Sequence, residues 1–242
     1  MQRTEGILRS RDRLWLVGQA VLLQAHSLPG QVRRRLGLRT DKLARFDINE
    51  LRLPDSGVCR EAEQICAQAP SMIVNHSYRS YVWAAILAAR DRTSYDEEVV
   101  YVASLLHDIA YAEPQRLPDG RPCCFTKTGA EAALSLEWDD AKRGEAAEAI
   151  TLHLNLYVGR KAGAEAYLVG AGTRLDATGF RHWDLHPDTV EAVLTRYPRE
   201  NLKAGFTEMM SRQARATRGS RCHFYTRYLG ANYFIRNAPF DE

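Results

Sequence analysis

At 242 residues, with 45% hydrophobic and 26% charged side chains, the chain carries enough apolar material for one sizeable core with or without an appendage. No apolar run approaches the roughly 18 residues of a membrane span, and five irregularly spaced cysteines point to reduced thiols rather than a disulfide framework. The net charge of +3 conceals an asymmetry: residues 1–46 hold ten Lys/Arg against three Asp/Glu, a balance of +7, which leaves −4 for the rest.

The first element expected is an amphipathic helix over residues 6–26, stopped by Leu28-Pro29-Gly30. A basic start before the apolar stretch Leu14–Ala25 invites comparison with a secretory leader. Gln19 and Gln24 interrupt that stretch, and Ala25-His26-Ser27 is a poor cleavage site, so a cytoplasmic protein is expected. Arg33-Arg34-Arg35 then leads toward the remainder. The domain reading is a basic helical extension over 1–46 and a single domain over 47–242.

Asp55 or Ser56 can cap a helix reaching about Ala69, where Pro70 stops it. Residues 71–91 place Ile73, His76, Val82, Trp83, Ile86 and Leu87 close to a helical period. The run Val99–Leu106 is apolar nearly all round. Its β-branched start would suit a buried strand, but Asp96-Glu97-Glu98 ahead of it favours a helix N-terminus and hence a central buried helix. After a Pro- and Gly-rich loop over 113–125, helices are expected near 128–137, 141–154, 163–178, 187–197 and 199–217. No alternating runs flank a hairpin turn, so no sheet is expected and the fold class is all-α.

His107-Asp108 closes the most buried helix candidate, where an ionisable pair is costly without a partner. A metal ion accepts imidazole nitrogen and carboxylate oxygen together and is the economical partner. A lone helical histidine such as His76 is more often structural.

Taken together, these segments resemble the HD superfamily of metal-dependent phosphohydrolases and hydratases, which is defined by a histidine, a His-Asp pair and a later aspartate. The matching residues are His76, His107 with Asp108, and Asp176, with 30 residues between the histidines and 67 between the aspartates. The segments Asn75–Tyr81, Tyr101–Ile109, Gly129–Ala133 and Gly172–Gly179, with Leu53-Pro54-Asp55-Ser56 as opening, are similar to the cyanamide-hydratase-like branch. The resemblance spans roughly residues 51–235. It implies an HD-domain helical bundle with an added N-terminal helix, and one divalent ion held by His76, His107, Asp108 and Asp176. Zinc, manganese or iron(II) would suit those donors. Such an ion lowers the pKa of a bound water to about 7, with Asp108 as base.

Around this set, His153 is the candidate acid or substrate contact, with a capping or buried histidine as the alternative. Arg79, Asn75 and Asn155 are the candidate substrate contacts, although an ion pair with a core acid suits Arg79 equally. Ile109-Ala110-Tyr111 follows the His-Asp pair where many signalling-nucleotide phosphohydrolases place a hydrophobic residue, Gly and Lys. That removes a cation and favours hydration of a small nitrile-like compound over hydrolysis of a nucleotide or other phosphate ester. A non-catalytic metal-binding module is a third reading. A two-iron oxygenase is a fourth, disfavoured because only His153 lies between Asp108 and Asp176. Arg212, Arg215, Arg218 and Arg221 recur every three residues and read as a solvated face. The partner expected is a small-molecule substrate; nucleic acid is not expected, and a homo-oligomer is compatible with the sequence.

Overall fold

The computed structural model describes residues 7–36 and 45–242. Among these the fold is helical: α1 (Ser10–Arg35), α2 (Gly57–Cys66), α3 (Ser71–Asp91), α4 (Glu97–Leu106), α5 (Thr126–Ser135), α6 (Asp140–His153), α7 (Ala164–Thr178), α8 (Pro187–Arg196), α9 (Leu202–Ala216), α10 (Arg221–Tyr228) and α11 (Ala231–Arg236). The all-α expectation holds. No helix among the described residues is long and apolar enough to cross a membrane.

The helix boundaries follow local chemistry. Ser56 accepts from the Cys59 amide and starts α2, so the cap falls on the serine rather than Asp55. Asp96 accepts from the Val99 amide at 3.1 Å and starts α4, in which every residue from Val99 to Leu106 is buried. The acidic start thus decided helix over strand. All five cysteines are buried and none forms a disulfide.

Two expectations need correction. The loop over 113–125 contains a small antiparallel pair, β1 (Gln115–Arg116) with β2 (Pro122–Cys123), joined around Gly120 at φ 82°. The other concerns α1, which runs through Pro29 to Arg35 instead of stopping before it. Proline removes one amide donor and leaves the Ala25 carbonyl without a helical partner. Ala25 and Leu28 are exposed, so water can take that carbonyl and the helix continues.

Helices α3 and α7 form the centre of the bundle and run antiparallel. A Cβ on Gly172 would lie 2.2 Å from the Ser80 carbonyl oxygen and 3.0 Å from the Ala84 amide, so only glycine allows this approach. One turn away on each helix, the same closeness brings His76 and Asp176 together.

Candidate metal centre

Four elements contribute to the centre. His76 lies in the second turn of α3, His107 and Asp108 follow the last turn of α4, His153 ends α6 and Asp176 lies in the last turn of α7. All five are buried.

Each histidine has one ring nitrogen committed to an acceptor. His76 Nδ1 is 2.7 Å from Asp176 Oδ2, His107 Nδ1 is 2.7 Å from the Ser104 carbonyl and His153 Nδ1 is 2.6 Å from the Ile150 carbonyl. Those acceptors place the proton on Nδ1 and leave a lone pair at each Nε2. The Nε2 atoms of His76 and His107 then face each other at 3.1 Å, with Asp108 Oδ2 at 3.6 and 3.3 Å from them. Two lone pairs and an anionic oxygen aimed at one point repel unless a cation sits among them.

For His76, His153 and Asp108 the electrostatics agree with this geometry. Burial lowers the pKa of His76 and takes that of His153 down to about 4, so both are neutral at pH 7. Burial would raise Asp108, yet His107 and His153 beside it hold it well below the usual carboxylate range. His107 moves the other way: burial would lower it, but the Asp108 carboxylate prevails and raises it. The His76, His107 and Asp108 donors could hold a metal ion, and a nitrogen–oxygen set of this kind suits zinc, manganese or iron(II).

The HD domain family model matches residues 73–197, just over half of the chain and spanning all five of these side chains. The chain belongs to the HD-domain family. A comparison with curated proteins finds no match. The family is one of metal-dependent hydrolases, phosphohydrolases among them; the match is to the family as a whole and singles out no branch.

Within this HD domain Asp176 does not face the convergence point as expected of a fourth ligand. Its Oδ1 accepts from Arg79 Nε at 2.8 Å and Trp83 Nε1 at 2.9 Å, and its Oδ2 from His76 Nδ1 at 2.7 Å and Arg79 Nη2 at 2.9 Å. The carboxylate is fully engaged behind the His76 ring. It orients His76 in the manner of a carboxylate–histidine–metal relay.

The candidate substrate contacts separate. Arg79 is completely buried, spends Nη1 on the carbonyls of Tyr197 and Pro198, and reaches no open space. Asn75 donates to Glu200 Oε1 at 3.1 Å, outside the cavity. Asn155 does line the cavity, its Oδ1 accepting from Arg221 Nη1 at 3.0 Å. Arg221 itself is buried, bonded also to the Thr151 carbonyl and Thr126 Oγ1, and so does not belong to a solvated face.

The HD domain, together with α1 and the helices after α8, lines a cavity of about 720 Å³ whose wall includes His76, His107, Asp108 and His153. Most of the rest is apolar, with Leu154, Phe180, Trp183, Phe206 and Phe234 prominent. His182, from the turn His182–Asp184, lies in that wall as well, whereas His186 caps α8 by accepting from the Asp188 amide.

Sequence reasoning missed Arg174. It lines the cavity and forms no ion pair among the described residues; its guanidinium makes a long 3.4 Å hydrogen bond to the Asn155 carbonyl and lies 5.8 Å from the centre of the Phe180 ring. Burial lowers its pKa to about 10, which leaves it charged at neutral pH. The available signal was an arginine inside the otherwise apolar stretch Tyr167–Leu175.

Proposed function

We propose that the protein is a metal-dependent hydrolase of a small molecule with an anionic head and an apolar body, a phosphate monoester or diester being the best fit. The observation that carries this reading is the cavity shared by the His76/His107/Asp108 cluster and the guanidinium of Arg174, which has no carboxylate partner among the described residues. Such a half-buried cation favours an anionic ligand, which would meet its charge. Arg174 supplies the positive charge missing at Ile109-Ala110-Tyr111.

In this reading His76, His107 and Asp108 hold one divalent ion, and Asp176 with Arg79 fixes the His76 ring. The ion would supply Lewis acidity and lower the pKa of a bound water to about 7. Asp108 Oδ1 is buried and has no hydrogen-bond partner, with His153 Nε2 at 3.4 Å. That free acceptor supports Asp108 as the base that would take a proton from the attacking water. His153, neutral at pH 7 with its Nε2 lone pair inward, fits a proton acceptor or a further ligand better than the acid expected from its position. Asn155 and Arg174 position the substrate, and the aromatic wall excludes water from its apolar part.

Hydration of a small nitrile is the second reading, supported by the likeness of Asn75–Tyr81 and Tyr101–Ile109 to the cyanamide-hydratase-like branch. The volume favours the first. A cavity of about 720 Å³ is of the size that holds a drug-sized ligand, far more than a nitrile of a few atoms needs.

The test is elemental analysis of the purified chain, followed by turnover assays on alkyl and aryl phosphate esters, nucleotides and nitriles with each candidate metal. One equivalent of metal and faster turnover of phosphate esters with apolar groups are expected. Turnover of nitriles alone would replace this reading with the second. Two equivalents of iron with oxygen consumption would defeat both.

A further inference from the structure

Helix α1 divides its residues in an unusual way. Its inward face carries Gln19 and Ser27, both buried, while Leu23, Gln24 and Gln31 line the cavity. The opposite face carries Leu14, Trp15, Val21, Leu22, Leu28 and Val32, all exposed. At 100° per residue these six fall within a single continuous stripe. Leu14, Val21 and Leu28, one heptad apart along it, are 76%, 64% and 56% exposed.

The helix is not left outward by loose attachment. Leu16 is fully buried in a cluster with Phe224 and Tyr225, and Gln19 Nε2 donates to the Tyr157 carbonyl at 2.7 Å. The Leu8 amide donates to the Gly219 carbonyl at 2.8 Å. Gly30 abuts Trp183 so closely that a Cβ would fall 2.1 Å from the indole nitrogen. The inward face is therefore fixed, and the apolar face has no partner among the described residues. An exposed apolar surface of this extent marks an interaction site.

We propose that the outward face of α1 docks on an anionic lipid bilayer, the helix lying in the plane of the interface. Charge selects this occupant. The stripe is preceded by exposed Arg9, Arg11 and Arg13 and followed in sequence by Arg33-Arg34-Arg35, within a segment of net charge +7. A cationic segment at each end of an apolar helix face complements a negatively charged surface. A second copy of the chain is a poorer match: parallel or antiparallel, pairing α1 with itself sets arginines against arginines. Trp15 is a residue type that settles at the membrane–water boundary. The helix that docks also walls the cavity, and Phe234, in the same wall, is 43% exposed.

The proposal does not rest on the catalytic reading, because vesicle binding needs neither metal nor turnover. The experiment is co-sedimentation of the full chain with sucrose-loaded vesicles, one set of phosphatidylcholine alone and one containing about a third phosphatidylglycerol. Binding is expected to the anionic vesicles, at least tenfold weaker to the neutral ones and weaker as salt rises. The triple variant Leu14→Glu, Val21→Glu, Leu28→Glu should lose at least tenfold in binding while its far-UV circular dichroism is unchanged. Arg9→Gln, Arg11→Gln, Arg13→Gln leaves the apolar stripe intact and should reduce the preference for anionic vesicles. No binding of the wild-type chain overturns the proposal. So does equal binding by the wild type and both variants, or a wild-type dimer that the glutamate variant dissociates without any vesicle binding.

Discussion

Arg79 grips both carboxylate oxygens of Asp176, at 2.8 and 2.9 Å, and so holds that carboxylate against Nδ1 of His76, the nitrogen turned away from His107. The arrangement separates residues that would hold a metal from residues that aim them. His76→Ala, His107→Ala and Asp108→Ala are each expected to abolish metal binding in elemental analysis, with helical content retained. Asp176→Asn keeps the volume but loses the anion, and its metal affinity should fall about 10–100-fold rather than vanish. It should also melt at lower temperature, because Arg79 would be left buried without its counter-charge while Arg199 keeps only Glu242, at a cost of about 3–5 kcal/mol. Complete loss of metal in Asp176→Asn with unchanged Tm would make Asp176 a ligand after all.

Arg174→Met removes the cavity cation while keeping an unbranched side chain. Loss of a charge-assisted contact of about 1.5–3 kcal/mol predicts a roughly 10–100-fold fall in kcat/KM on anionic substrates. Metal content should be unchanged, and neutral substrates should be little affected. An equal fall on neutral and anionic substrates would remove Arg174 from substrate binding.

Asp91 supplies a pH-dependent part of stability away from the centre. Burial would raise its pKa, but Arg181 at 2.8 Å, with Tyr167 and Arg90, takes it down to about 2. A carboxyl depressed in the folded state contributes fully above its unfolded value, near 3.8, and loses that contribution as pH falls toward 2. The amount is on the order of 2 kcal/mol. Asp91→Asn should therefore lower Tm at pH 7, with the gap to the wild type closing between about pH 4 and pH 2. A gap that is constant across that range would contradict the assignment.

Gly172→Ala places a methyl group 2.2 Å from the Ser80 carbonyl, a backbone atom that can yield only if α3 and α7 separate. Destabilisation of about 1–3 kcal/mol is expected from overpacking. A weaker hold on metal should accompany it, since His76 and Asp176 lie one turn along the same pair of helices. Thermal melts and metal titration of the variant measure both; wild-type values in each would show that the contact relaxes freely.

Much of this was legible in the residues. Val99–Leu106 announced a buried helix because every position is apolar or small, and the acids ahead of it could act only as a helix start. The spacing of His76, His107, Asp108 and Asp176 marked the centre, but spacing does not say which way a carboxylate turns. Only the three donors around Asp176 settle that it lies behind His76. Arg221 was misread because a three-residue period was carried from Arg212 across Thr217–Ser220, where α9 has ended and α10 not begun. Pro29 misled in a different way: its cost falls on an exposed carbonyl, and exposure is a property of the folded chain.

The composition of the cavity wall has a consequence for how such a protein diversifies. The metal-centre side chains all lie inside residues 73–197, whereas Leu23, Gln24 and Gln31 come from before that stretch and Phe206, Phe234 and Ile235 from after it. Two flanking segments thus shape what enters while the central one keeps the chemistry. Replacing the N-terminal flank would alter substrate choice at little expense to the metal centre, whereas the C-terminal one reaches it through Arg199 and Phe206, so this chain is most freely re-targeted from its first helix.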